Sequence, residues 1–344
     1  MTALAVPARP EQDASLRPVP WRRMAWVTWR QHRFVLGGVA ILLGALAVYL
    51  WLAGLQLHHA YAAVAACHPA SSAGCQNLIN LFNTGYAPEG YTVAALLQVV
   101  PALIGAFAGA PVLARELETG TFRYAWTQGF GPRRWTVAKL VPLAVTLTAA
   151  AGAFSILFSW YYQPFFAEGS RIPFFPELFD LRGVAFAAWT LAAFAIGALI
   201  GMLIRRVVPA IAVTLAAYAG LALAAGLYLR EHYMTPLLTS NPNLPGSAWI
   251  MSHWWTKDGK PVSQDTINQV LQHYLPAPKE VAPGQFVERL NPAAYLSRDG
   301  YTRWVSYQPG SRFWPFQWIE GGWLLGLSVL LIAATIWLVR RRAA

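Results

Sequence analysis

Few residues in this chain could do chemistry, and the cysteines come first. Cys67 and Cys75 flank His68, with Pro69, Ser71, Ser72 and Gly74 shaping a short turn. Two thiols so close together form a disulfide where the loop faces an oxidising compartment. With His68 and the upstream His58 or His59 they could instead hold a metal, but that spacing matches no regular zinc pattern. The disulfide is the expectation, and no metal site is. A second set lies in Ala114-Arg-Glu-Leu-Glu-Thr-Gly-Thr-Phe-Arg-Tyr-Ala-Trp-Thr-Gln128. There the carboxylates Glu116 and Glu118 precede Gly120-Thr121, a pair suited to ending one helix and capping the next. The spacing predicts a short helix over 121–128, with Phe122, Ala125 and Trp126 on one face. No G-x-x-x-x-G-K-[ST], H-E-x-x-H or G-x-S-x-G pattern occurs. The chain therefore has no nucleotide site or catalytic residue that can be named, and binds no cofactor of its own.

The elements that position these residues are dictated by composition. Hydrophobic residues make up 56% of the chain and charged ones 12%, against roughly 25% charged in soluble domains. Crossing a bilayer core takes roughly 20 apolar residues. Six stretches reach that length without an Asp, Glu, Lys, Arg or His: Phe34–Leu57, Tyr91–Leu113, Leu140–Tyr161, Gly183–Ile204, Val207–Leu229 and Gly321–Val339. The fold class is an all-α membrane protein with six transmembrane helices.

Charge orients it. The net charge is +11, and most Lys and Arg fall in 1–33, 114–139, 205–206 and 340–344. Of the acids only Glu11, Asp13, Glu116 and Glu118 lie in those segments. This positive-inside pattern places both ends in the cytoplasm and removes the nucleic-acid reading that a basic chain invites. Residues 1–20 read as a disordered cytoplasmic tail with no cleavable signal peptide. Residues 21–33 read as an amphipathic interfacial helix with Arg22, Arg23, Arg30 and Arg33 toward lipid phosphates. Residues 34–229 hold spans one to five, with a tight hairpin at Arg205-Arg206. Residues 230–318 form an extracytoplasmic segment with a helix over Ser263–Leu275, and 319–344 hold the sixth span and a basic cytoplasmic end.

The spans offer little for an ion-coupled or proton-driven process, since ionisable groups would mark it. Gln98, Ser155 and Ser159 are the polar groups left to touch a substrate, which should be apolar or amphipathic. Gly105-x-x-x-Gly109, Gly197-x-x-x-Gly201 and Gly322-x-x-x-Gly326 would permit close helix approach.

Arg115-Glu-Leu-Glu-Thr-Gly-Thr121, following a span and followed by Lys139, resembles the loop after the second span in permease subunits of bacterial ABC exporters of the type-2 class. Arg312-Phe-Trp-Pro-Phe-Gln-Trp-Ile-Glu320 is similar to the approach to span six in actinobacterial members. The resemblance runs from Trp21 to the C-terminus. It implies a half-transporter in the bacterial cell membrane: two permease chains, of this protein or a paralogue, around a path, with two copies of a separate ATP-binding subunit carrying ATP and Mg. Glu116 and Glu118 would then face the ATPase or lock the loop, Gly120 and Thr121 would form the bend, and Phe122, Arg123 and Trp126 would sit in the ATPase groove. Two other classes compete. A membrane-bound sensor or assembly module would bind a ligand through 230–318 and need no ATPase. A membrane-embedded enzyme would need carboxylates near His58, His59 and His68, where only distant Glu89 is present.

Overall fold

The structure, a computed structural model, describes residues 21–69, 72–122, 131–168, 172–241, 243–274 and 296–343, the side chains of 21–25, 168, 273–274 and 342–343 excepted. Six helices are long and apolar enough to cross a bilayer: Trp26–Ala65, Ala73–Thr119, Pro132–Ala167, Ala185–Ile204, Val207–His232 and Gly310–Arg341, spans one to six. A helix keeps every backbone polar group satisfied within itself, as hydrocarbon requires. Several helices overrun the apolar stretches that define them. The first runs unbroken from Trp21 to Ala65, so the expected interfacial helix and span one are one rod. Nothing in the sequence between them stops a helix: there is no proline, and the first glycines come only at Gly37-Gly38.

Antiparallel alternation gives the bundle two faces. The start of span one, the Arg115–Gly120 turn, Arg205-Arg206 and Arg340-Arg341 share the basic face. The opposite face carries a four-stranded sheet, ordered β1-β4-β2-β3.

The tightest contact in the bundle is between spans two and four. The α-helical hydrogen bonding of span two is interrupted at Gln98, because Pro101 has no N–H to offer the preceding turn, and it passes into a π-turn over Gly105–Gly109. That turn lies against span four, glycine to glycine. A Cβ on Gly197 would sit 2.3 Å from the Gly105 carbonyl oxygen, and one on Gly201 would sit 2.2 Å from that of Ala110. Gly322 and Gly326 face open space instead.

The sheet pairs β1 (Leu237–Thr239) and β2 (Trp249–Lys257) with β4 (Tyr301–Gln308), and β2 with β3 (Lys260–Val262), all antiparallel. It is the element that sequence reasoning missed in 230–318. Tryptophans on both faces of β2 and a register shift between Ile250 and Ser252 hide the alternation that announces a strand. One signal was readable. Asp258-Gly259, both at positive φ (51° and 75°), is a two-residue hairpin turn. The expected helix is present as Gln264–Tyr274, with Ser263 Oγ accepting from Thr266 N at 3.3 Å. Three of its apolar side chains are covered: Ile267 is buried with Trp255, Leu296 and Tyr301, and Val270 and Leu271 pack against them; Leu275 lies outside the described residues.

Candidate functional site

On the basic face, the Arg115–Thr121 segment ends span two and is wired to two other spans. The helix Pro111–Thr119 stops because Gly120 takes the left-handed conformation, φ 71°, which a Cβ would penalise. One turn before that stop, Glu116 pairs with Lys139, the last cation before the apolar run of span three. Lys139 is buried and its ammonium also lies 4.4 Å from the Trp135 ring centroid. An ammonium out of water needs such partners. Glu118 does something different: its Oε2 accepts from the Val207 N–H at 3.0 Å. Val207 opens span five, and Arg206 before it supplies no side-chain cap. Glu118 thus satisfies one of the orphan donors of that helix start and places negative charge at its positive dipole end. Span one is tied in separately, by Thr28 Oγ1 donating to the Ala138 carbonyl at 3.1 Å. Beside these links lies an open cleft of about 400 Å3, bounded by His32, Arg115, Glu116, Thr119 and Thr121.

Each glutamate thus has a partner within the chain, Glu116 in span three and Glu118 at the start of span five. Gly120 forms the bend, and Thr121 sits in it with its hydroxyl 3.0 Å from that of Thr119. Phe122 is half-buried against the chain's own core. Arg123, Trp126 and the remainder of the expected 121–128 helix lie outside the described residues. So do the side chains of Arg22 and Arg23; Arg30 and Arg33 are exposed, stacked on Trp26 and Phe34.

The opposite face holds a denser polar cluster. Arg230, 1% exposed, donates to Glu320 through both Nε (3.0 Å) and Nη2 (2.8 Å), and pairs with Asp180 as well. Glu320 is fully buried and also accepts from Trp189 Nε1 at 2.9 Å and from the Tyr233 hydroxyl at 3.1 Å. Gln317, one turn earlier, donates to the Phe179 carbonyl and accepts from Ala185 N, both at 2.9 Å. The sheet-face ends of spans four, five and six and the loop before span four are thereby fastened to one another. Burial pushes the Asp180 carboxyl up, against the pull of Arg230. The sequence expectation of ionisable groups kept clear of the spans is thus corrected at their ends. Arg230 and Glu320 each directly adjoin an apolar run, on the same side, and that adjacency was the available signal.

Cys67 and Cys75 are joined in a disulfide with Cα atoms 5.6 Å apart, which removes both thiols from any metal set. His58 is occupied too, its Nε2 3.0 Å from the Trp160 carbonyl oxygen. Of the groups expected to meet a substrate, Ser155 donates to the Gly183 carbonyl and Ser159 to that of Ser155. Their hydroxyls are engaged by backbone. Gln98 Nε2 is buried without an acceptor among the described residues.

A model of the family described as ABC-2 membrane transporter related matches residues 40–230, more than half of the chain. No curated protein and no solved structure matches.

Proposed function

Because the chain belongs to the ABC-2 membrane transporter related family, we propose that it is the permease subunit of an ATP-driven exporter in a bacterial cell membrane, both ends cytoplasmic. Two copies pair around a path for an apolar or amphipathic substrate. Each receives motion from a separate ATP-binding subunit, which supplies ATP and Mg. The observation that carries this reading is the double attachment of the Arg115–Thr121 segment, through Glu116 to span three and through Glu118 to span five. A permease without a nucleotide site can use ATP only through mechanical contact, so it needs a stiff element that reaches the partner and grips several spans. A segment gripped at two points delivers a push to both spans at once. Phe122, Arg123 and Trp126 are assigned to the ATPase contact, where loss of an aromatic anchor can cost about 2 kcal/mol or more.

The test is reconstitution with a separate ABC ATP-binding subunit, sought among the products of the neighbouring genes. The expected result is a stable complex whose ATPase activity responds to substrate. Trp126→Ala should weaken the complex or uncouple hydrolysis while leaving insertion intact. A Trp126→Ala permease with full association and full transport would remove this segment from the coupling path.

A further inference from the structure

Span one and span two part toward the sheet face and leave an open groove of about 490 Å3 between them. Leu46 and Leu50 line it on one side, Val93, Leu96 and Leu97 on the other, and its one acidic group is Glu89. Tyr49 donates to Glu89 Oε1 at 2.5 Å across the groove, which holds the carboxylate over the apolar slot. Thr92 gives its hydroxyl to the Pro88 carbonyl, so Tyr49 and Glu89 supply the groove's free polarity. Glu89 is exposed, and no Lys, Arg or His pairs with it among the described residues.

Its depth follows from span one. Tyr49 lies about 24 Å along the helix from Arg33, the last basic residue before the apolar run. Hydrocarbon is about 30 Å thick, so Tyr49 lies in its far half and holds Glu89 short of the far headgroups. The slot below it, through Leu46 and Leu97, lies in the far leaflet. A carboxylate there without a counter-ion is costly, and it repels anions while adding nothing for a neutral body. Both terms change sign for one class of occupant. The volume is also within the usual range of about 300–1,000 Å3 for small-molecule sites.

We propose that this groove binds an amphipathic organic cation, with the positive charge on Glu89 and against the Tyr49 ring and the apolar body in the slot between spans one and two. As a binding site this stands on the geometry alone. As a statement about substrate class it rests on the transporter reading above.

The experiment measures binding of radiolabelled tetraphenylphosphonium to the purified permease in a neutral maltoside detergent, with no ATP-binding subunit present. Saturable binding is expected, displaced by dodecyltrimethylammonium and not by dodecanol. Glu89→Gln keeps an acceptor for Tyr49 but removes the charge, and should weaken binding at least tenfold. Leu96→Trp fills the slot from an exposed position and should weaken it comparably. Glu89→Asp should retain most of it, which separates loss of charge from loss of fold. Binding by Glu89→Gln within twofold of the unsubstituted chain overturns the proposal. So does absence of binding in the unsubstituted chain, as when a second copy covers the groove, and so does displacement by phosphatidylethanolamine more readily than by dodecyltrimethylammonium. Cation binding without cation-stimulated hydrolysis in the assembled complex would sink the transporter reading and leave the site standing.

Discussion

The two faces of the bundle use buried charge in opposite ways. On the sheet face a single guanidinium, Arg230, is shared by two carboxylates, and one of these, Glu320, also takes an indole and a phenol. On the basic face the links are single and separate: Glu116 to Lys139, and Glu118 to one backbone N–H. A charge with several partners in a dry site is a rigid joint, since moving any one element strands the others. A single pair with a partly exposed carboxylate (19% for Glu116) can open with water as a substitute partner. The contrast makes spans four to six a fixed body at the sheet face and leaves freedom at the basic face, where a partner would push.

Breaking the rigid joint should have the largest effect. Glu320→Ala leaves Arg230 buried with only Asp180 as counter-charge, and such losses cost about 3–5 kcal/mol. The expectation is a large fall in the unfolding midpoint of the detergent-purified protein. Replacing Arg230 and Glu320 together by Met and Leu should cost much less, because no charge is stranded. Equal losses for the single and the double replacement would mean that the cluster contributes packing rather than charge pairing.

Next in size is the staple beyond spans one and two. Cys67→Ser with Cys75→Ser should cost about 2–3 kcal/mol by releasing the loop in the unfolded chain. Mass spectrometry of the non-reduced protein checks the premise, and two free thiols would remove it.

A smaller loss is expected on the basic face. Glu116→Ala should cost about 1–2 kcal/mol, less than a fully buried pair, because the Trp135 ring still faces Lys139. Combined with Glu320→Ala it should be additive within about 0.5 kcal/mol, as distant independent sites are. Strong non-additivity would show that the two faces form one mechanical unit and would dissolve the comparison.

How much of this was legible in the sequence divides by the range of the interaction. The six spans were, because each is a local run whose length hydrocarbon dictates. Gly120 as a helix stop and the Ser263 cap were also legible, being set within a turn of chain. The Gly105–Gly109 and Gly197–Gly201 pairs could be named, but not as partners of each other. Neither the Glu116–Lys139 pair nor the Asp180–Arg230–Glu320 cluster could be drawn, since only the packing of spans decides which flanking charges meet. The sheet went unseen because β2 places aromatic residues on both faces.

The smallest expected effect is a pH dependence confined to the rigid joint. Burial lifts the Asp180 carboxyl above its ordinary range, against the pull of Arg230. Above the ordinary carboxylate value the folded chain keeps a proton that the unfolded chain releases. Stability therefore falls as pH rises past that value, and the deficit is constant once both states are ionised. Arg230 and Glu320 face Asp180 from spans five and six, and Glu320 keeps two bonds to Arg230 whatever the state of Asp180. Asp180→Asn cannot titrate, so subtracting its unfolding midpoints from those of the unsubstituted chain isolates this dependence from every other acid. The difference should move against the unsubstituted chain as pH rises above the ordinary carboxylate range, and then level off. Parallel curves over that rise would place Asp180 in an ordinary, solvated ionisation and would reduce the joint to the Arg230–Glu320 pair alone.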